Sequence, residues 1–476
     1  MMERSSGVLM HISSLYGEYS CGSFGNEAKD FVDFLVEGGF TWWQVLPFCM
    51  VDDCNSPYQS YCAFGGNPYF INLEKLAKKG LITQDELNQQ KQETPYSCEF
   101  ARLYHTRIPL LIEASKRATN RYEIEAFINS EPQLESVCRF MSLKQANGQK
   151  PWWEWETDQP DPQVLFAWKF IQFEFFTQWA EVKEYANSRG IKIIGDIPIY
   201  VSLDSCDVWS NSELFLLENN KPTSVAGCPP DYFSPDGQLW GNPLYDWDKM
   251  KETDFDWWKE RLSHMLKLFD GVRIDHFRGI ESFWAIPAQD CVARNGKWVK
   301  GPGIHLVNAL KEVAGDKLII AEDLGEITNE VVQLVEDSGF PGMRVFQFGF
   351  LGEYDNIHQP HNYINNCVAY SGTHDNNTLL GYLWELDQNN KNDMLEYCGH
   401  NPRDWDSACT SIIKKIISSS AGLTIFPIQD ILGYGSDTRL NIPGKSGGNW
   451  QFRITKDQLD EIDTELYNNL NILYRR

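Results

Sequence analysis

The sequence predicts an α/β fold, a (β/α)8 TIM barrel with large insertions in its βα loops. Three observations carry that expectation. Eight short apolar, strand-type runs are spread over the 476 residues, helical patterns lie between most neighbouring runs, and acidic residues stand just past several of the runs. In order, the strand candidates are 7–12, 41–47, 191–197, 271–274, 318–321, 343–348, 367–370 and 423–427. Residues 26–37 read as a helix between the first two. Asn26 can cap it, Ala28, Phe31, Val32 and Leu35 recur at i, i+3, i+4 and i+7, and Gly38-Gly39 ends it. Further helical patterns cover 164–188, 255–268, 328–337 and 404–418.

Two spacings are too long for simple connections. About 140 residues separate the second and third strands, with a helical stretch near 74–150, and about 70 separate the third and fourth. Insertions on βα loops build the active-site face of such a barrel. The expected organisation is therefore one catalytic barrel over 1–476, a mostly helical insertion at 48–163 and an aromatic-rich loop insertion at 198–254.

Composition narrows the function. Hydrophobic residues make up 42% and charged residues 23%, as in an ordinary globular chain. Lys+Arg 42 against Asp+Glu 66 leaves a net charge of −24, which phosphate backbones repel, so a nucleic-acid partner is not expected. No apolar run is long enough for a membrane span, and MMERSSGVLMHISSLYG has no signal-peptide pattern, so the expected location is cytoplasmic. The 12 cysteines contain no C-x-x-C pair, which fits reduced thiols better than a zinc or redox motif.

The chemistry gathers where the candidate strands stop. Strand four runs into Arg273-Ile274-Asp275-His276, strand five into Ala321-Glu322-Asp323, strand seven into Thr373-His374-Asp375, and strand three into Gly195-Asp196. Alternation aims Arg273 and Asp275 the same way, and a cation beside a carboxylate favours the ionised form a nucleophile needs. Two converging carboxyl groups can divide the work of glycosidic-bond cleavage: one attacks the anomeric carbon, and the other, kept protonated by its surroundings, protonates the leaving oxygen. The competing reading makes each acid a helix N-cap, with Asp323 a natural one. A divalent metal on Asp275, His276, Glu322, His374 and Asp375 is the other rival, but no H-E-x-x-H or EF-hand loop supports it, so neither metal nor cofactor is expected. Gly444-Lys445-Ser446 lacks the upstream glycine of a phosphate loop, that position being Arg439.

The strings themselves resemble a family. RIDHFRG (273–279), AEDLG (321–325) and GTHDNNT (372–378) are similar to those of the amylomaltases, the 4-α-glucanotransferases or disproportionating enzymes. GDIPIYV (195–201), SPYQSYCAFGGNPY (56–69), PPDYFSPDGQLWGNPLYDW (229–247) and RLNIPG (439–444) extend the resemblance over nearly the full length. It implies Asp275 as nucleophile, Glu322 as general acid/base and Asp375 as the third carboxylate, with His374 beside it. It implies Arg273 as the partner of Asp275, Asp196 as support from strand three, and Tyr58 near the subsite of the transferred glucose. Asp231, Tyr232, Phe233 and Trp240 would overhang the cleft, and Asn441 would add a late polar sugar contact. Asn377 stands where many relatives carry Asp, Cys228 where a small alanine is usual, and no added glucan-binding module is expected. The implied reaction is a retaining transfer between maltooligosaccharides or other α-glucans. An amylase-like hydrolase is the nearest alternative, although the Asn-His pair expected soon after its strand-three Asp is replaced here by Ile-Pro-Ile-Tyr-Val; a non-catalytic glucan binder is the other.

Overall fold

The computed structural model describes residues 2–52, 54–230, 235–352, 356–405, 407–445 and 447–476. Within them eight parallel strands close into a barrel. They are β1 (Ser5–Leu9), β2 (Trp42–Gln44), β3 (Lys192–Ile197), β4 (Gly271–Ile274), β5 (Leu318–Ala321), β6 (Gly342–Val345), β7 (Cys367–Tyr370) and β8 (Leu423–Pro427). Each pairs with its neighbour in chain order, and β8 returns to β1 with Gly7 beside Ile425. Strands packed on both faces are predominantly apolar, which is why β7 and β8 are wholly buried runs of CVAY and LTIFP.

Four strands differ from their expected bounds, β3 only in starting at Lys192 instead of 191. β1 begins at Ser5 and stops at Leu9, whose partner in β8 is Pro427, a residue with no N–H to continue the ladder. Only Trp42–Gln44 of the apolar 41–47 run is strand. β6 ends at Val345, because Phe346–Phe348 turns into a 3-10 helix, and the Val345 N–H goes to His358 Nδ1 at 3.1 Å.

The helices follow the apolar periodicity, with shifts at their ends. Asn26 does not cap Asn26–Glu37; it is the first helical residue, Gly25 is the cap, and Glu27 supplies the first-turn negative charge. The long helix Pro162–Ser188 starts two residues before the periodic pattern. Asp161 accepts the N–H groups of Gln163 (2.7 Å) and Val164 (3.2 Å), and Pro162 occupies the first turn, where its missing N–H costs nothing. The segment between β2 and β3 carries the helices Leu73–Lys78, Gln84–Gln89, Phe100–Ser115, Arg121–Ser130 and Pro132–Ala146.

The 198–254 segment is more than the aromatic loop its composition indicates. Its strands Ser224–Cys228 and Gln238–Pro243 join Ser282–Pro287 and Lys297–Lys300, from the β4–β5 connection, in a four-stranded antiparallel sheet. The pairing of 224–227 with 284–287 joins segments on either side of β4, so no local pattern announces it. Among the described residues no helix is long and apolar enough to cross a membrane.

Candidate active site

Register brings the acids together before any side chain is considered. In the β3–β4 pair Asp196 lies opposite Arg273, and the Asp275 N–H continues that ladder to Ile197 O at 2.9 Å. In the β5–β4 pair Ala321 lies opposite Ile274. One step further on, Glu322 N–H bonds Ile274 O at 3.2 Å and Phe277 N–H bonds Glu322 O at 3.1 Å. Asp275 and Glu322 therefore leave two adjacent strands at one level, and Asp196 stands within β3 beside them, level with Arg273. β3 reaches this level through Gly195, since the Phe269 ring lies 2.2 Å from where a Cβ would sit.

Arg273 binds two of these acids. Its Nη1 donates to Asp196 Oδ1 (2.9 Å) and Oδ2 (2.7 Å), and its Nη2 donates to Asp275 Oδ1 (2.8 Å). Asp196 also accepts the Tyr58 hydroxyl at 2.7 Å. The Tyr58 ring stacks on His374, with centroids 5.0 Å apart and planes 12° apart, and Trp450 packs against both rings. His374 Nε2 lies 3.4 Å from Asp375 Oδ2, and the Asn441 amide donates to Asp375 Oδ1 at 2.6 Å. The expected residues Tyr58, Asp196, Arg273, Asp275, His374, Asp375 and Asn441 thus form one chain of contacts. Glu322 joins it through the backbone N–H of His276, the residue after the Asp275 it neighbours.

Burial sets the charge states. It lifts Glu322 well above the usual carboxyl range, and the Asp275 carboxylate pushes the same way, against the pull of Arg273 and the His276 N–H. That direction favours the protonated form, the one a general acid requires. Burial lowers His374 against the opposing effect of Asp375, leaving the imidazole neutral. Burial also works against the charge on Arg273, but Asp196 and Asp275 outweigh it and hold the guanidinium well above its ordinary value. Burial pushes Asp196 up to about 7 even beside that cation. Replacing Arg273 by methionine would leave a wholly buried carboxylate with Tyr58 as its remaining partner. Arg273→Met is expected to lose about 3–5 kcal/mol of stability, measured by urea unfolding; wild-type stability would show that the pair contributes nothing.

None of these acids caps a helix. The helix after Asp375, Leu379–Glu385, is capped by Thr378, and Thr328 is the N-cap of Asn329–Ser338 after β5. Asp323 is not a cap either: it accepts Met343 N–H (2.6 Å) and Arg344 Nη1 (3.1 Å), fastening β5 to the start of β6, where Gly342 leaves room for its carboxylate. Among the described residues no group of three or more His, Cys, Asp or Glu is placed to hold a metal ion.

Asp231, Tyr232 and Phe233 lie outside the described residues. Trp240, on the strand that follows them, packs edge-on against His276 with centroids 4.8 Å apart. The expected set omitted His276 and Trp450. His276 adopts φ 50°, the left-handed region, and that turn presents its N–H to Glu322. Trp450 follows RLNIPG in the segment after β8, where its N–H bonds Leu440 O at 2.6 Å, and it meets Tyr58 and His374 across the site from outside every quoted motif. Neither property has a signature in composition or spacing.

Comparison with known proteins shows what the whole chain is similar to. A family model described as 4-alpha-glucanotransferase matches residues 10–459. The chain is 42% identical to a 4-alpha-glucanotransferase of Streptococcus pneumoniae serotype 4, covering 100% of this chain and 98% of that protein. It is 40% identical to one from Thermus thermophilus, with 96% of each covered. The solved structure of an amylomaltase from Streptococcus agalactiae in complex with acarbose superposes with a TM-score of 0.96 at 38% identity, over 100% of both chains.

Proposed function

The chain belongs to the 4-alpha-glucanotransferase family, and from that membership we propose how its own residues perform the transfer. Asp275 attacks C1 of an α-1,4-linked donor while the Glu322 proton goes to the departing glycosidic oxygen, leaving a glucosyl ester on Asp275. Glu322, now a carboxylate, takes the proton of an incoming 4-hydroxyl, whose oxygen displaces Asp275 from C1 and restores the α-1,4 bond. Configuration is retained through the two inversions. Bond broken and bond made are alike, so no energy source or cofactor is needed.

One observation carries this reading: a buried Glu322, its pKa pushed upward by that burial, stands one rung from an Asp275 whose carboxylate is bonded by the Arg273 guanidinium. Asp375, half-exposed beside a neutral His374, would bond sugar hydroxyls as positive charge develops at C1. Tyr58 and Trp240 would offer ring faces to the apolar C–H surfaces of the sugars. Transfer also requires an acceptor to outcompete water. Segment 228–247, together with the helical insertion before β3, would wall the cleft and exclude it.

The substrates in this reading are maltooligosaccharides and longer α-glucans, and the acarbose complex of the Streptococcus agalactiae amylomaltase supports an oligosaccharide cleft here. Action in the cytoplasm belongs to the same reading and is supported by the buried, unbridged thiols of Cys21, Cys62 and Cys138. Incubation with maltotriose is expected to give glucose and a ladder of longer glucans. Steady shortening without any product longer than maltotriose would indicate a hydrolase instead, and an unchanged substrate a binding protein.

A further inference from the structure

The RLNIPG segment contributes Asn441 to the site, yet its first residue has no part in the reaction described so far. Arg439 lies half-buried between two loops that leave different barrel strands, 371–378 after β7 and the segment following β8. Its Nη2 donates to the main-chain oxygen of Asp375 at 2.5 Å, and its Nε donates to the main-chain oxygen of Asn441 at 2.7 Å. The Asn441 side chain in turn donates to Asp375 Oδ1 at 2.6 Å. These three bonds close a ring that runs through one guanidinium, two backbones and the Asp375 carboxylate.

We infer that Arg439 is a positioning residue for Asp375, fixing both its backbone and, through Asn441, its carboxylate. The need for such a device follows from exposure. The Asp375 side chain is 44% exposed, so packing does not select its rotamer, and water competes for its oxygens. A carboxylate that must meet sugar hydroxyls in the transition state loses much of its effect when displaced by about an ångström. Arg439 suits the task because its planar fork reaches two carbonyls in fixed geometry; a lysine head group would have to choose between them.

The surroundings keep that guanidinium in place. Burial lowers the Arg439 pKa and the Glu385 and Asp375 carboxylates oppose that; Glu385 is itself bonded by Asn377 Nδ2 at 2.8 Å, which also donates to Ser436 Oγ at 2.9 Å. The bond to the Glu385 carboxylate needs an amide donor, which an aspartate could not supply. The asparagine at 377 therefore suits a chain that sets a carboxylate at 385 beside it.

This inference rests on the reading of Asp375 as the third carboxylate, and a double-mutant cycle separates the two. Initial rates of maltotriose disproportionation would be measured for Arg439→Gln, Arg439→Lys, Asp375→Asn and the Arg439→Gln/Asp375→Asn pair. Arg439→Gln is expected to lower kcat roughly tenfold to hundredfold with little change in KM, and Arg439→Lys to recover only part of the loss. In the Asp375→Asn background Arg439→Gln should add little, because its effect runs through that carboxylate. A normal kcat in Arg439→Gln, or losses that multiply fully in the pair, would overturn the inference. A normal kcat in Asp375→Asn would instead refute the role of Asp375. Should Arg439→Gln fail to fold by circular dichroism, Arg439→Lys takes its place in the cycle.

Discussion

Asp275→Asn is expected to lower maltotriose turnover by on the order of 10⁴-fold or more, while maltooligosaccharide binding stays close to that of the wild type. The first part follows from chemistry: an amide oxygen does not displace a sugar alkoxide to form an ester, so no glycosyl-enzyme accumulates. The second part follows from the contacts. Asp275 accepts one bond from Arg273 Nη2, which an asparagine oxygen can accept in its place, and Arg273 keeps both bonds to Asp196. The barrel wall at β3 and β4 therefore stays closed, and the aromatic and polar groups that would hold the sugar are untouched. Initial-rate measurements of glucose release, paired with calorimetric titration of maltotetraose, test both halves. Substantial disproportionation by the variant would move the nucleophile elsewhere, and lost binding with a melted near-ultraviolet signal would mean that the Arg273 cluster had collapsed.

How far this site could be read from the sequence follows from the physics of each part. Strands of a parallel barrel are buried on both faces, so β4, β5, β7 and β8 announce themselves as apolar runs with their observed limits. The acids are visible because a barrel places its chemistry at the C-terminal ends of its strands: Asp275 and Glu322 stand just past β4 and β5, and Asp196 is the penultimate residue of β3. What escapes is whatever depends on distant pairing. The antiparallel sheet built from 224–228, 238–243, 282–287 and 297–300 joins strands across β4, and Asp323, which reads as a cap, spans to the start of β6 instead. Asn441 is legible as a polar group near the sugar, but the hydrogen bond its amide donates to Asp375 depends on the loops after β7 and β8 meeting. Similarly, the left-handed turn at His276 is a backbone property, and histidine tolerates it without being a marker for it.

Glu322→Gln is expected to reduce kcat for maltotriose by roughly 10²–10⁴-fold, the usual contribution of a positioned proton donor. The loss should shrink for a donor such as α-maltosyl fluoride, whose leaving group departs without protonation. The pH dependence has a definite sign. Because burial and Asp275 hold Glu322 well above its ordinary range, the wild-type enzyme should lose activity on the alkaline side as Glu322 ionises, and the variant acting on the fluoride should lack that limb. The same shift acts on stability. A carboxyl whose folded pKa exceeds its unfolded value binds more protons when native, so its contribution is present at low pH and is lost as pH rises through the folded value. Glutamine keeps an oxygen for the His276 N–H and carries no ionisable proton. Glu322→Gln should therefore melt higher than the wild type at pH 8, with the difference fading toward pH 4. Function would then be maintained at the expense of stability, as expected where a general acid is made by withholding water from it. Equal melting at pH 8 would mean that Glu322 is not held protonated, and full activity of the variant on maltotriose would place the acid on another residue.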